Sequence, residues 1–189
     1  KISRSYPSLL HYGMALTSPQ SDSHRQLLSP YQRWLQQQRP GLAQRQQVMQ
    51  TLAVTPAKLV YLMQISSEEL LSALPQTLKS LQQQDECCWE LYVAIRPELL
   101  EKCRQLPALE GLGQRVQWMP WQEDIGQARL MMQCIEESKA DWLMLLKPGD
   151  TLEVDAGCAL LEAACKHSDA ALLYADEDTL LSGRGEADP

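Results

Sequence analysis

From Lys58 onward the chain alternates short apolar runs with segments of helical period, an order that few architectures accept. Residues 59–63, Leu-Val-Tyr-Leu-Met, are apolar without interruption, as in a strand buried on both faces. Ser66-x-x-Glu69 then has the form of a capping box, and Leu70, Leu74, Leu78 and Leu81 continue on one helical face. The unit repeats. A second strand is expected over 89–95, with Pro97 at a favoured first helical position and Leu99, Leu100, Cys103 and Leu106 following. A third strand is expected over 116–119, then a helix capped by Asp124 that faces the core with Ile125, Ala128, Met132 and Ile135. A fourth strand over 142–146, a helix capped by Asp155 and a fifth strand over 170–174 complete the series. Right-handed crossovers between such strands give an α/β domain, an open and mostly parallel sheet with helices on both faces.

In an open sheet of this kind ligands bind outside the carboxyl ends of the strands. The loops of interest therefore begin near Gln64, Ile95, Pro120, Lys147 and Ala175. Two of them carry carboxylates. The run 142–146 breaks at Lys147-Pro148-Gly149-Asp150, and the run 170–174 breaks at Asp176-Glu177-Asp178. Strand ends with this chemistry suit a nucleotide and its metal ion, although the first loop holds only one carboxylate.

Composition narrows the partners. A net charge of −7 argues against a nucleic-acid surface. No apolar run approaches the ~20 residues of a membrane span, and the N-terminus has no secretory core, so a cytoplasmic location is expected. The start, Lys1-Ile2-Ser3, has the look of a position internal to a longer protein. The six cysteines form no C-x-x-C pair, so reduced thiols are expected rather than a zinc site. Cys158 and Cys165 share one face of a helix, the pattern of small core residues.

Residues 1–57 read as a polar, Gln-rich helical extension. Leu27, Leu28, Tyr31, Trp34 and Leu35 fall on one helical face, and Leu42, Met49 and Leu52 predict a second helix after Pro40-Gly41. These helices either dock on the domain of residues 58–189 or offer a surface to a partner protein.

The order of elements from about Tyr31 onward resembles a family 2 glycosyltransferase of the GT-A fold, particularly the bacterial rhamnosyltransferase-like group that builds surface polysaccharide. Tyr174-Ala175-Asp176-Glu177-Asp178, followed by Gly183-Arg184, is similar to the family's Tyr-Ser-Asp-Glu-Asp segment. Tyr31-x-x-Trp34 resembles its lead-in helix. The donor motifs depart from the pattern. Gln64-Ile65-Ser66-Ser67 stands at a Pro-x-Tyr-Asn-like turn, where backbone amides meet the nucleotide. Ala94-Ile95-Arg96-Pro97 stands at adjacent aspartates, so a uracil or thymine base loses its usual acceptor. Asp124-Ile125-Gly126-Gln127-Ala128-Arg129 resembles the Gly-x-Ala-x-Ala-Arg-Asn helix start, which implies that Arg129 pairs with a diphosphate. Lys147-Pro148-Gly149-Asp150 stands at the family's Asp-x-Asp-Asp metal loop and keeps Asp150 alone.

The resemblance thus implies a site of Gln64, Ser66, Arg96, Arg129, Lys147, Asp150, Asp176 and Asp178, with Mg²⁺ or Mn²⁺ on Asp150. Lys147 offers an alternative charge for the diphosphate, without a metal's fixed geometry. Each assignment has an ordinary counterpart. Asp150 after Pro-Gly is also a common turn residue, Asp176 to Asp178 also reads as a solvated acidic turn, and Arg129 also suits a solvent-facing helix position. Trp118 and Trp121 either stack on a ligand or cap the core edge. The histidines His11, His24 and His167 lie outside every candidate loop.

The function implied is transfer of a sugar from a nucleoside diphosphate to a glycan or lipid-linked acceptor, at the cytoplasmic side and peripheral to the inner membrane. The family's catalytic base is expected beyond Pro189, which makes this chain a donor-binding part, incomplete at its C-terminus and inactive alone. The alternative is a degenerate, non-catalytic GT-A domain that serves as a binding or scaffolding module.

Overall fold

The computed structural model describes residues 37, 39–54, 57–85, 89–122, 124–175, 179–180 and 187–188. The N-terminal residues expected to form the first helical face, among them Tyr31 and Trp34, lie outside them, as do Asp176, Glu177 and Asp178.

The first described helix, α1 (Leu42–Val54), leads into strand β1 (Leu59–Ile65), whose side chains are buried on both faces except for the partly exposed Gln64. Helix α2 (Glu68–Gln82) starts one residue later than the capping box predicts. Ser67, not Ser66, caps it, its hydroxyl accepting the Leu70 amide at 3.3 Å. Glu68 and Glu69 in the first turn and Lys79 in the last complement the helix dipole. Strand β2 (Trp89–Ile95) and helix α3 (Pro97–Arg104) follow as the apolar run and the N1 proline predict. Two short 3₁₀ turns, Pro107–Leu109 and Gly113–Arg115, lead to β3 (Val116–Pro120). Helix α4 (Gln127–Ser138), β4 (Trp142–Leu146) and α5 (Ala156–Lys166) complete the main unit. A small antiparallel pair joins β5 (Thr179–Leu180) to β6 (Ala187–Asp188).

The sheet is all parallel in the order β3-β2-β1-β4, so the fold is an open α/β sheet with helices on both faces. Leu59, Tyr61, Met63 and Ile65 of β1 point to one face, where Leu71, Leu74, Leu78 and Leu81 of α2, Leu99 and Cys103 of α3, and Ala156, Cys158 and Leu161 of α5 cover them. Val60 and Leu62 point to the other, under Leu130 and Cys134 of α4. Helix α1 joins the first core through Leu52, with Val48 and Met49 against it. Arg45 fixes it from the side. The guanidinium pairs with both carboxylate oxygens of Asp85, Nε to Oδ2 at 2.7 Å.

Three expectations are corrected. Residues 170–174 do not form a strand, and the main sheet has four strands instead of five. An apolar run holds a ladder position when it is covered, and here Leu172 and Tyr174 stay 79% and 91% exposed. Helix α4 is turned relative to its predicted face. Leu130, Cys134 and Ser138 are buried, whereas Ala128, Met132 and Ile135 are exposed. The helix has two apolar stripes, and the one carrying Leu130 and Cys134 packs on Val60 and Leu62 of the sheet. Its cap is Gly126 rather than Asp124, and Asp155 occupies the cap of α5 without a side-chain capping hydrogen bond.

Candidate functional site

The strand order creates one privileged place. The connections from β1 to β2 and β2 to β3 place α2 and α3 on one face, whereas α4 returns to β4 across the other. The direction of winding reverses between β1 and β4, and the crevice at such a switch point is where open α/β sheets hold ligands.

The parallel register shows what meets there. Met63 pairs with Leu146, so Lys147 flanks Gln64, and Ile65 pairs with Ile95, so Arg96 flanks Ser66. Ile95 in turn pairs with Pro120, which sets Trp121 beside Arg96. Lys147 and Arg96 thus stand on either side of the β1 end and two residues apart along it, roughly 12 Å in the backbone at the usual strand spacing and rise. The topology brings Gln64, Ser66, Arg96, Lys147 and Asp150 to the same end of the sheet. Arg129 lies in the first turn of α4, fully on the surface, and Asp176 and Asp178 lie outside the described residues.

Arg96 is held from two directions. Its guanidinium lies over the Trp121 ring at 5.9 Å, and Nη1 is 4.0 Å from Glu98. Trp121 is itself fixed, its backbone N–H donating to Ile95 O at 3.0 Å and its indole N–H to Ile125 O at 3.1 Å. Of the two roles open to Trp121, the structure shows the core cap. It is 6% exposed, and its packing orients an arginine.

Lys147-Pro148-Gly149-Asp150 is a type II turn. The Asp150 N–H donates to Lys147 O at 3.0 Å, proline sits at the second position, and Gly149 takes φ +104° at the third. The Lys147 N–H donates to Asp150 Oδ2 at 2.9 Å, which closes the turn a second time. The Gly149 N–H donates to Thr77 Oγ1 at 2.8 Å, and Thr77 is fully buried on α2. Thr77 is the residue that sequence reasoning missed. The only signal was a polar side chain between Leu74 and Leu78 on a buried helix face.

The charges around the crevice are mixed. The Ser67 hydroxyl takes the Leu70 amide, and Glu68 and Glu69 lie in the first turn of α2, so the positive end of that helix dipole is partly answered. Lys102 hydrogen-bonds Glu68 and holds its carboxyl below the ordinary range, which offsets one of these charges. Lys147 is exposed, and among the described residues no carboxylate pairs with its ammonium.

The donor set does not fit a divalent cation among the described residues. No three His, Cys, Asp or Glu side chains converge, and Asp150 has one oxygen committed to its own turn. A hard cation at about 2.0–2.6 Å wants several oxygens at once. The described cysteines supply no site either. Burial pushes the Cys103 and Cys134 thiols up to about 11, which leaves them protonated and unreactive. No helix of the described residues is long and apolar enough to cross a membrane.

No protein-family model matches the chain, and no curated protein is significantly similar to it.

Proposed function

We propose that this chain is the donor-binding part of a glycosyltransferase of the GT-A kind. It holds a nucleoside-diphosphate sugar at the carboxyl ends of β1, β2 and β4. In the intact protein the sugar passes to a glycan or lipid-linked acceptor of a bacterial surface polysaccharide, at the cytoplasmic face of the inner membrane. The observation that carries this reading is the β3-β2-β1-β4 order, whose switch point lies between the ends of β1 and β4, beside Ser66 and Lys147, with Arg96 on the far side of β1.

The chain's own residues bind and orient. Backbone amides and the Ser66 hydroxyl offer donors at the β1 end, and Arg96, its guanidinium 5.9 Å from the Trp121 ring centroid, offers a planar donor edge. Lys147 supplies a cation on the opposite side of β1. Arg129 adds charge from the start of α4. No proton transfer is assigned to these residues.

A second reading is favoured by one observation. Asp150 is spent on closing its turn, which is what a degenerate GT-A domain retained for contacts with other molecules would show at this loop. Calorimetric titration with UDP, GDP and dTDP separates the two. Saturable binding of any one of them is expected of the donor-binding part. The absence of binding by all three refutes it and leaves the scaffold reading.

A further inference from the structure

We infer that the switch point takes the diphosphate without a divalent cation, with Lys147 as its principal charge partner. This rests on the donor-binding reading above and deepens it.

The turn after β4 is built to present a side chain rather than to chelate. Its backbone is fixed at three points, the Lys147 carbonyl, the Lys147 amide and the Gly149 amide, the last tied to a buried threonine on another element. Fixing the Lys147 backbone in this way leaves only the side chain to be ordered when an anion arrives. The fixing uses one oxygen of the one carboxylate the loop has. That oxygen keeps a second lone pair, so Asp150 could meet a cation with its turn closed, but no cluster of three ligating side chains joins it among the described residues. An ion that needs six or more ligands at fixed geometry gains little from one carboxylate.

The other charges point the same way. The α2 N-terminus is partly answered by its own cap and by Glu69, so the backbone dipole supplies only part of the positive potential. Two side chains add to it, one on each side of the β1 end. Arg96 is held against Trp121 with Glu98 at 4.0 Å, and its charge is partly answered. Lys147 is exposed and has no carboxylate partner among the described residues. A compact ammonium on a four-carbon stem reaches phosphate as a point charge, and it needs no coordination geometry to do so.

The test is calorimetric titration of the full chain with UDP, GDP and dTDP, in EDTA and again in excess Mn²⁺, for the native sequence, Lys147→Ala and Lys147→Arg. The expected result is the same Kd in EDTA as in Mn²⁺. Lys147→Ala should weaken Kd by about 10- to 100-fold, the loss of one charged hydrogen bond, and Lys147→Arg should restore most of it. Binding that appears only with Mn²⁺ overturns the inference and leaves the donor-binding reading standing. Metal-independent binding that Lys147→Ala does not weaken overturns the assignment to Lys147. No binding in either condition overturns both. Lys147 is exposed and its turn bonds come from backbone atoms, so both variants should fold normally, which a thermal melt checks.

Discussion

Replacing Thr77 by valine should loosen the turn that carries Lys147, although Thr77 lies on α2, 72 residues earlier in the chain. Valine has nearly the shape of threonine and loses the hydroxyl that accepts the Gly149 amide at 2.8 Å. Leaving a buried donor without its partner costs about 1–3 kcal/mol. The added methyl, fully buried at this position, returns up to about 0.8 kcal/mol. The net loss is about 0.2–3 kcal/mol, or roughly 0.4–12 °C in Tm for a chain of this size. Urea denaturation measures the first number and a thermal scan the second. Amide exchange at Gly149 supplies the specific readout. It should accelerate in Thr77→Val and stay near native in Thr77→Ser, which keeps the acceptor. Gly149→Ala is the companion change. Its Cβ would sit 3.6 Å from the Ala73 Cβ, an ordinary contact, so its cost of about 1–3 kcal/mol comes from φ +104° and not from a clash. Native stability and native protection of Gly149 in Thr77→Val would refute the anchor, and with it the claim that the turn is fixed from α2.

Leu52→Ala should destabilise the domain by about 2–5 kcal/mol in urea, because Leu52 is buried in the main core; a change within experimental error would show that α1 does not dock. Asp155→Asn should stabilise the fold at neutral pH. Burial raises the Asp155 carboxyl above its ordinary range, with Asp85 adding to the rise and a backbone hydrogen bond, Arg45 and Arg39 opposing it. A raised carboxyl favours folding fully below its unfolded value, about 4, and that contribution is lost as pH rises through the folded value. The gain from asparagine, followed by chemical denaturation across pH, should therefore vanish in acid; an equal gain at every pH would contradict the assignment. Alkylation followed by mass spectrometry should modify the partly exposed Cys165 well before Cys103 and Cys134, which should react only on unfolding. Rapid native-state labelling of Cys103 would contradict its burial.

The sequence carried the two central strands because their burial is two-sided. Residues 59–63 and 89–95 have no polar face to confuse the period, and Pro97 marks a helix start by its missing amide. The same absence of a polar face misled at 170–174, where hydrophobicity alone could not say whether anything would cover Leu172 and Tyr174. Helix α4 offered two apolar stripes, and the choice between them depends on the packing against Val60 and Leu62, which no window of sequence contains. At the site, the strand-end residues were legible from topology, and Pro148-Gly149 announced a turn by its chemistry. What ties that turn down was not, since Thr77 and Gly149 meet only after a helix, two crossovers and three strands have been placed.

The most direct test of the account is residue-resolved NMR of the chain titrated with GDP and UDP in EDTA. The account predicts shifts that saturate together and concentrate at Ile65 to Ser67, Arg96 and Lys147 to Asp150, around the end of β1. Shifts confined to the opposite end of the sheet, near Lys58, Trp89 and Asp141, or no shifts at all, would contradict it.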